Sequence, residues 1–159
     1  MTTITAAWVL SLLLSVRAAA GEGPSPWDST LPETAQAIAD ACADAPLAGG
    51  GADWCAAVLA VQSFQESRYN PGAVHDHGQG HGEYGLHDAT LAIAAVPPDA
   101  RGQTFVAVEL IKESFEACGA SPLDERLALY MSGFCSERRA LSRHRLHLAA
   151  KLLRAHPVE

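Results

Sequence analysis

The sequence has no Cys-x-x-Cys spacing and no His-Glu-x-x-His pattern, so neither a zinc ribbon nor a helical metalloprotease site is spelled out along it. No internal repeat occurs, which removes solenoids and propellers. Positive charge is in deficit. With 11 Lys and Arg against 18 Asp and Glu, the formal net charge is −7, which makes nucleic acid a poor partner. Basic residues are also missing from Met1 to Thr5, and no Cys stands near Ala20, which argues against a lipoprotein.

After Thr5 the chain runs apolar from Ala6 to Val16, then continues as Arg17-Ala18-Ala19-Ala20 and Gly21. This reads as an export signal over residues 1–20 with an Ala-x-Ala cleavage pattern, an uncleaved anchor of marginal length being the alternative. Membrane contact is expected only through this signal. Without these twenty residues, whose only charge is Arg17, the formal charge becomes −8. Four cysteines, Cys42, Cys55, Cys118 and Cys135, form an even set suited to an oxidising compartment, so the chain reads as exported, periplasmic or extracellular. Three pairings are possible. Cys42 with Cys55 and Cys118 with Cys135 are favoured, because each bridge would staple neighbouring elements across a short loop.

Residues 21–30, with Gly-Glu-Gly-Pro-Ser-Pro, read as a flexible leader, and residues 31–156 as one domain. Pro32 suits a first helical turn, and that helix continues through Cys42 until Pro46 and three glycines end it. Asp53 is placed to cap a second helix. Its residues Trp54, Val58, Val61 and Gln65 share a stripe that Ala57, Leu59, Ala60 and Phe64 widen, the pattern of a buried central helix that Pro71 stops. Val74 to Glu83, rich in Gly, His and Asp, reads as a loop or small hairpin. Further helices are expected over Gly102–Ala117, Pro122–Met131 and Ser136–Ala155, the last with Leu141, Leu148 and Leu152 apolar. The sum is a mainly α-helical fold with one short polar loop or β-hairpin.

Six of the eleven basic residues, Arg138, Arg139, Arg143, Arg145, Lys151 and Arg154, lie within seventeen positions. They read as a solvated helix face, with attraction to an anionic polymer as the alternative.

The chemistry concentrates at Glu66 and Glu83, one carboxylate ending an apolar helix and one on the polar loop seventeen residues on. At a helix C-terminus beside a buried stripe, desolvation and the helix dipole both disfavour the charged form of Glu66. A carboxyl so held can donate a proton to a glycosidic oxygen, and a second carboxylate can favour the oxocarbenium-like transition state.

Three blocks in order, Glu66-Ser67-Arg68-Tyr69-Asn70-Pro71, Gly85-Leu86 and Tyr130-Met131-Ser132-Gly133, resemble the E-S-x-[FY]-N-P, G-L-M-Q and Y-N-A-G motifs of lytic transglycosylases with the SLT lysozyme-like fold. The spacing is similar to that of the specialised transglycosylases of secretion and conjugation systems, and the resemblance spans about three quarters of the chain, residues 35–153. It implies a lysozyme-like helical domain, with peptidoglycan glycan strands as substrate and a cell-envelope secretion apparatus as a candidate partner. It also implies that Glu66 is the acid/base cleaving the β-1,4 bond between N-acetylmuramic acid and N-acetylglucosamine, closing a 1,6-anhydro ring. By the same resemblance the hydroxyl of Tyr130 approaches the catalytic carboxyl, and Ser67, Tyr84, Gly85, Leu86, His87 and Asp88 line the cleft. Glu83 would be the second carboxylate. His87-Asp88 and Met131 stand where the family has Met-Gln and Asn.

Within the same fold, a lysozyme-type muramidase and a non-catalytic glycan-binding or assembly protein are the alternatives. His75, Asp76, His77, His81, Glu83, His87 and Asp88 also invite a metal reading, but their spacing on a Gly-rich loop matches no metal motif, so neither metal nor cofactor is expected.

Overall fold

Cys55 to Phe64 is an unbroken buried run of ten residues, apolar but for Gln62 and Ser63, a helix covered on all sides that lies at the centre of the fold. This is α3 (Ala52–Ser67), and it packs against three other helices, α1 (Ala6–Ala19), α2 (Leu31–Asp44) and α6 (Arg139–Ala155). Helices α4 (Ala100–Ala117) and α5 (Leu123–Ser132) complete the bundle, α4 against α2 and α5 between α4 and α6. The structure is a computed structural model, and it describes residues 3–44, 47, 50–87, 97–119 and 121–158.

The expected helices form with small shifts at their ends. Helix α3 begins one residue before Asp53: Gly51 is its N-cap, and Asp53 lies in the first turn, where its charge opposes the positive end of the helix dipole. Asp99 caps α4 through its side chain, accepting from the Gly102 amide at 2.7 Å. On α6 the buried stripe is Ser142, Arg145, Leu146, Ala149 and Leu152, whereas Leu141 is 38% exposed. The face of α6 turned to the core is therefore rotated from the expected one and carries an arginine.

Both disulfides join the favoured partners. Cys42–Cys55 ties the end of α2 to the start of α3, and Cys118–Cys135 ties the end of α4 to the segment after α5, with Cα separations of 5.6 and 5.9 Å. Such bridges fit an oxidising compartment. Among the described residues no helix is long and apolar enough to cross a membrane.

The apolar run at the start of the chain folds as α1, a core element. Val9, Leu12 and Leu13 are fully buried against α2 and α3. Tyr69 donates its hydroxyl to the Leu13 carbonyl at 3.0 Å, and Trp8 Nε1 donates to the His156 carbonyl at 3.2 Å. Residues 21–30 are held by ion pairs at both ends, Glu22 with Arg68 at 2.7 Å and Asp28 with Arg17.

Past Pro71 the chain forms a three-stranded antiparallel sheet of two-residue strands, β1 (Val74–His75), β2 (Gly80–His81) and β3 (Leu86–His87), with β2 in the middle. Gln103 of α4 locks this small sheet to the bundle. Its carbonyl oxygen accepts the Glu83 amide at 2.8 Å, and its nitrogen donates to the carbonyls of Pro71 and Pro97 at 3.1 and 2.9 Å. A side chain at Gly82 would collide with it, since a Cβ there would lie 2.4 Å from the Gln103 oxygen.

Candidate active site

A cavity of about 380 Å³ opens between the small sheet and helices α4 and α5. Glu66, in the last turn of α3, reaches it after Arg68 caps the helix in the left-handed conformation at φ 60° and Tyr69 follows at φ 65°. Two such residues in succession turn the chain sharply, so the sheet returns across the end of α3 and lays Gly85 against the carboxylate. A Cβ at Gly85 would stand 3.2 Å from Glu66 Oε2, and its φ of +61° also favours glycine.

Of the residues expected at the cleft, Glu66, Tyr84, Gly85, Leu86, His87 and Tyr130 all line this cavity. Tyr130 stands close enough to Glu66 for the carboxylate's charge to add to burial in pushing the phenol up, so it remains a proton donor. That proton is directed at the Tyr84 carbonyl, 2.9 Å away, which braces α5 against the loop carrying Gly85. Asp88 lies outside the described residues.

Glu83 and Ser67 are placed differently from expectation. Glu83 is fully buried, its two oxygens accepting from Thr34 Oγ1 at 2.7 Å and Ser63 Oγ at 3.1 Å. Burial pushes its carboxyl up to about 7, against the opposing effect of those two hydroxyl hydrogen bonds. It is a pin between the cleft loop and helices α2 and α3, with no oxygen presented to a sugar. Ser67 likewise faces the backbone, its hydroxyl lying 2.9 Å from the Glu83 carbonyl and accepting the Asn70 amide at 3.1 Å. The seventeen-residue interval brings Glu83 to the right loop but with its side chain on the inner face.

Among the described residues, the other carboxylate lining the cavity with Glu66 is Glu113 of α4. Glu113 falls off the buried stripe of α4 by helical period, and only the packing of α5 and the sheet turns that side into a cleft wall. Arg138 also lines it. His75 and His87 flank Gly80, their strand partner on either side, and a Cβ at Gly80 would lie 3.3 Å from His75 Cβ and 3.4 Å from His87 Nε2. The central glycine leaves room for two imidazoles on one wall. Among the described residues no three His, Cys, Asp or Glu side chains come together as a metal site.

Behind Glu66 stands Arg145. Only 6% exposed, it hydrogen-bonds through Nη1 both to the Glu66 carboxylate and to Gln62 Oε1, the latter at 2.7 Å. The contact fixes where the carboxylate lies at the end of α3. Arg139 and Arg143 are spent on α5, where both pair with Asp124, at 2.9 and 2.7 Å. Half of the basic cluster is thus committed within the fold.

No protein-family model, curated protein or solved structure matches the chain. What the site can do is read from its own geometry: one carboxylate fixed between a glycine and a buried cation, in a cavity that a second carboxylate, Glu113, also lines.

Proposed function

We propose that this protein is an exported lytic transglycosylase of lysozyme-like fold that cleaves the β-1,4 bond between N-acetylmuramic acid and N-acetylglucosamine in peptidoglycan. The observation that carries the reading is the Glu66 carboxylate seated over Gly85 at the cavity, because it joins the first two sequence blocks in one site and Tyr130 of the third lies beside them. In this reading Glu66 protonates the glycosidic oxygen as the bond breaks. As a carboxylate it then takes the proton of the sugar's own C6 hydroxyl, whose oxygen closes the 1,6-anhydro ring at C1. Arg145 holds one oxygen of that carboxylate by a hydrogen bond, and Gly85, having no side chain, leaves room for the other at the cavity.

A lysozyme-type muramidase is the second reading, and Glu113 favours it. A second carboxylate in the same cavity is what a hydrolase uses to activate water or to balance the developing cation. Mass spectrometry of peptidoglycan digested by wild type, Glu66→Gln and Glu113→Gln separates the two. Anhydro ends, lost in Glu66→Gln and kept in Glu113→Gln, are the expected result. Reducing ends that depend on both residues would establish the hydrolase, and unchanged cleavage by Glu66→Gln would end both readings.

A further inference from the structure

Four buried side-chain atoms lack a hydrogen-bond partner among the described residues, and three of them belong to the turns where α3 and α6 pack together: Gln62 Nε2 on α3, and Ser142 Oγ and Arg145 Nε on α6. Their placement is set by the two helices that meet there. Gln62 is one turn before Glu66 on α3, Ser142 is one turn before Arg145 on α6, and the 2.7 Å bond from Arg145 Nη1 to Gln62 Oε1 joins the turns. Buried donors and acceptors are almost always satisfied, and where protein does not do so an enclosed water does. Two N–H donors and a hydroxyl supply the two to four polar partners such a water needs.

Burying a guanidinium for stability alone is unfavourable, since an apolar side chain of similar volume commonly serves a packed interface as well or better. Here the cation is kept, and its open side meets the one carboxylate that reaches the cleft from α3. We propose that Gln62, Ser142 and Arg145 enclose a buried water behind Glu66, and that Arg145, steadied by it, is the positioning residue that fixes the Glu66 carboxylate over Gly85. This rests on the reading that Glu66 is the reacting carboxylate, although the site can be observed without any substrate. Among the described residues, the other ionisable groups lining the cleft are Tyr84 of the cleft loop, Tyr130 of α5, His75 and His87 of the sheet, Glu113 of α4 and Arg138 before α6.

The test uses the full chain with carboxyl carbons labelled, the Glu66 signal being assigned by its loss in Glu66→Gln. In Arg145→Met the Glu66 carboxyl is expected to titrate at higher pH than in wild type, with the amide spectrum showing an intact fold, and Arg145→Lys is expected to fall between them. Added guanidinium is expected to return the Arg145→Ala titration toward wild type. A crystal structure is expected to show ordered water within hydrogen-bond distance of at least two of the three atoms. On peptidoglycan, Arg145→Met is expected to lower kcat at least tenfold with little change in KM. An unchanged Glu66 titration in folded Arg145→Met, or the three atoms paired with protein groups in the crystal, overturns the proposal. A wild type that cleaves no peptidoglycan overturns the proposed function and leaves the titration to decide this one.

Discussion

Gly85 supports the Glu66 carboxylate by having no side chain: the nearest approach of a Cβ there would be 3.2 Å to Oε2 and 3.6 Å to Cδ, at a φ of +61°. Gly85→Ala therefore combines a left-handed backbone, costing about 1–2 kcal/mol, with a displaced carboxylate. Cleavage is expected to fall by tenfold or more while the melting temperature drops by only about 3–8 °C. Measuring both on one preparation separates the local effect from unfolding; activity within twofold of wild type would show that the carboxylate tolerates the shift.

Glu83 makes a prediction about pH. Its carboxyl is held at about 7 in the folded chain, above the ordinary value of 4.5, because burial disfavours the charge. A raised value means that the folded state keeps its proton longer than the unfolded state does. Its contribution is therefore complete below pH 4.5 and is lost as pH rises to about 7, on the order of 3 kcal/mol in all. Urea unfolding of wild type and Glu83→Gln across pH 4–8 is expected to diverge in that window, with the Gln variant the more stable above it. Glu83→Gln is also expected to keep cleavage within about threefold near pH 6, as its carboxyl faces Thr34 and Ser63. A loss equal to that of Glu66→Gln would return it to the chemistry.

The contrast between these two carboxylates shows what the sequence disclosed. Helix periodicity located α2 to α6 because each carries a strong apolar face, and short loop closure identified both disulfides. Loop offset brought Glu83 to the right segment but could not tell its inner side from its outer one, since strands of two residues carry no periodic pattern. Arg145 is legible in the sequence by its position and masked by its charge. It shares the i, i+4, i+7 spacing of Ser142, Leu146, Ala149 and Leu152, so the period of α6 places it on the buried face, while a guanidinium among five other cations reads as solvated. Glu113 carries no such signal, because its place on the cleft wall depends on how α5 and the sheet pack against α4.

Cys118–Cys135 closes the segment that carries Tyr130, Met131 and Gly133, three residues of the cleft wall. The bridge spans 17 residues, and removing it as the double Ser variant is expected to cost about 3 kcal/mol on the loop-closure account. The loss is expected to be local first. Hydrogen exchange should rise in α5 before α3, and cleavage should fall at temperatures where the circular dichroism of the bundle is still native. Uniform loosening of all the described helices would mean that the bridge supports the whole bundle instead of this wall.

Helix α1 gives the last test, because the segment with the character of an export signal also covers Tyr69 of the first motif block. Val9, Leu12, Leu13 and Val16 are all buried, and apolar side chains of this size contribute about 1.5–3 kcal/mol each when buried, offset in part by the entropy of ordering the helix. Deleting residues 1–20 also leaves the Tyr69 hydroxyl without the Leu13 carbonyl and exposes that side of α3. The 21–159 chain is expected to melt about 10 °C or more below the full chain and to bind a hydrophobic dye that the full chain does not. Equal melting temperatures would show that α1 covers the core without stabilising it, as a removable leader would.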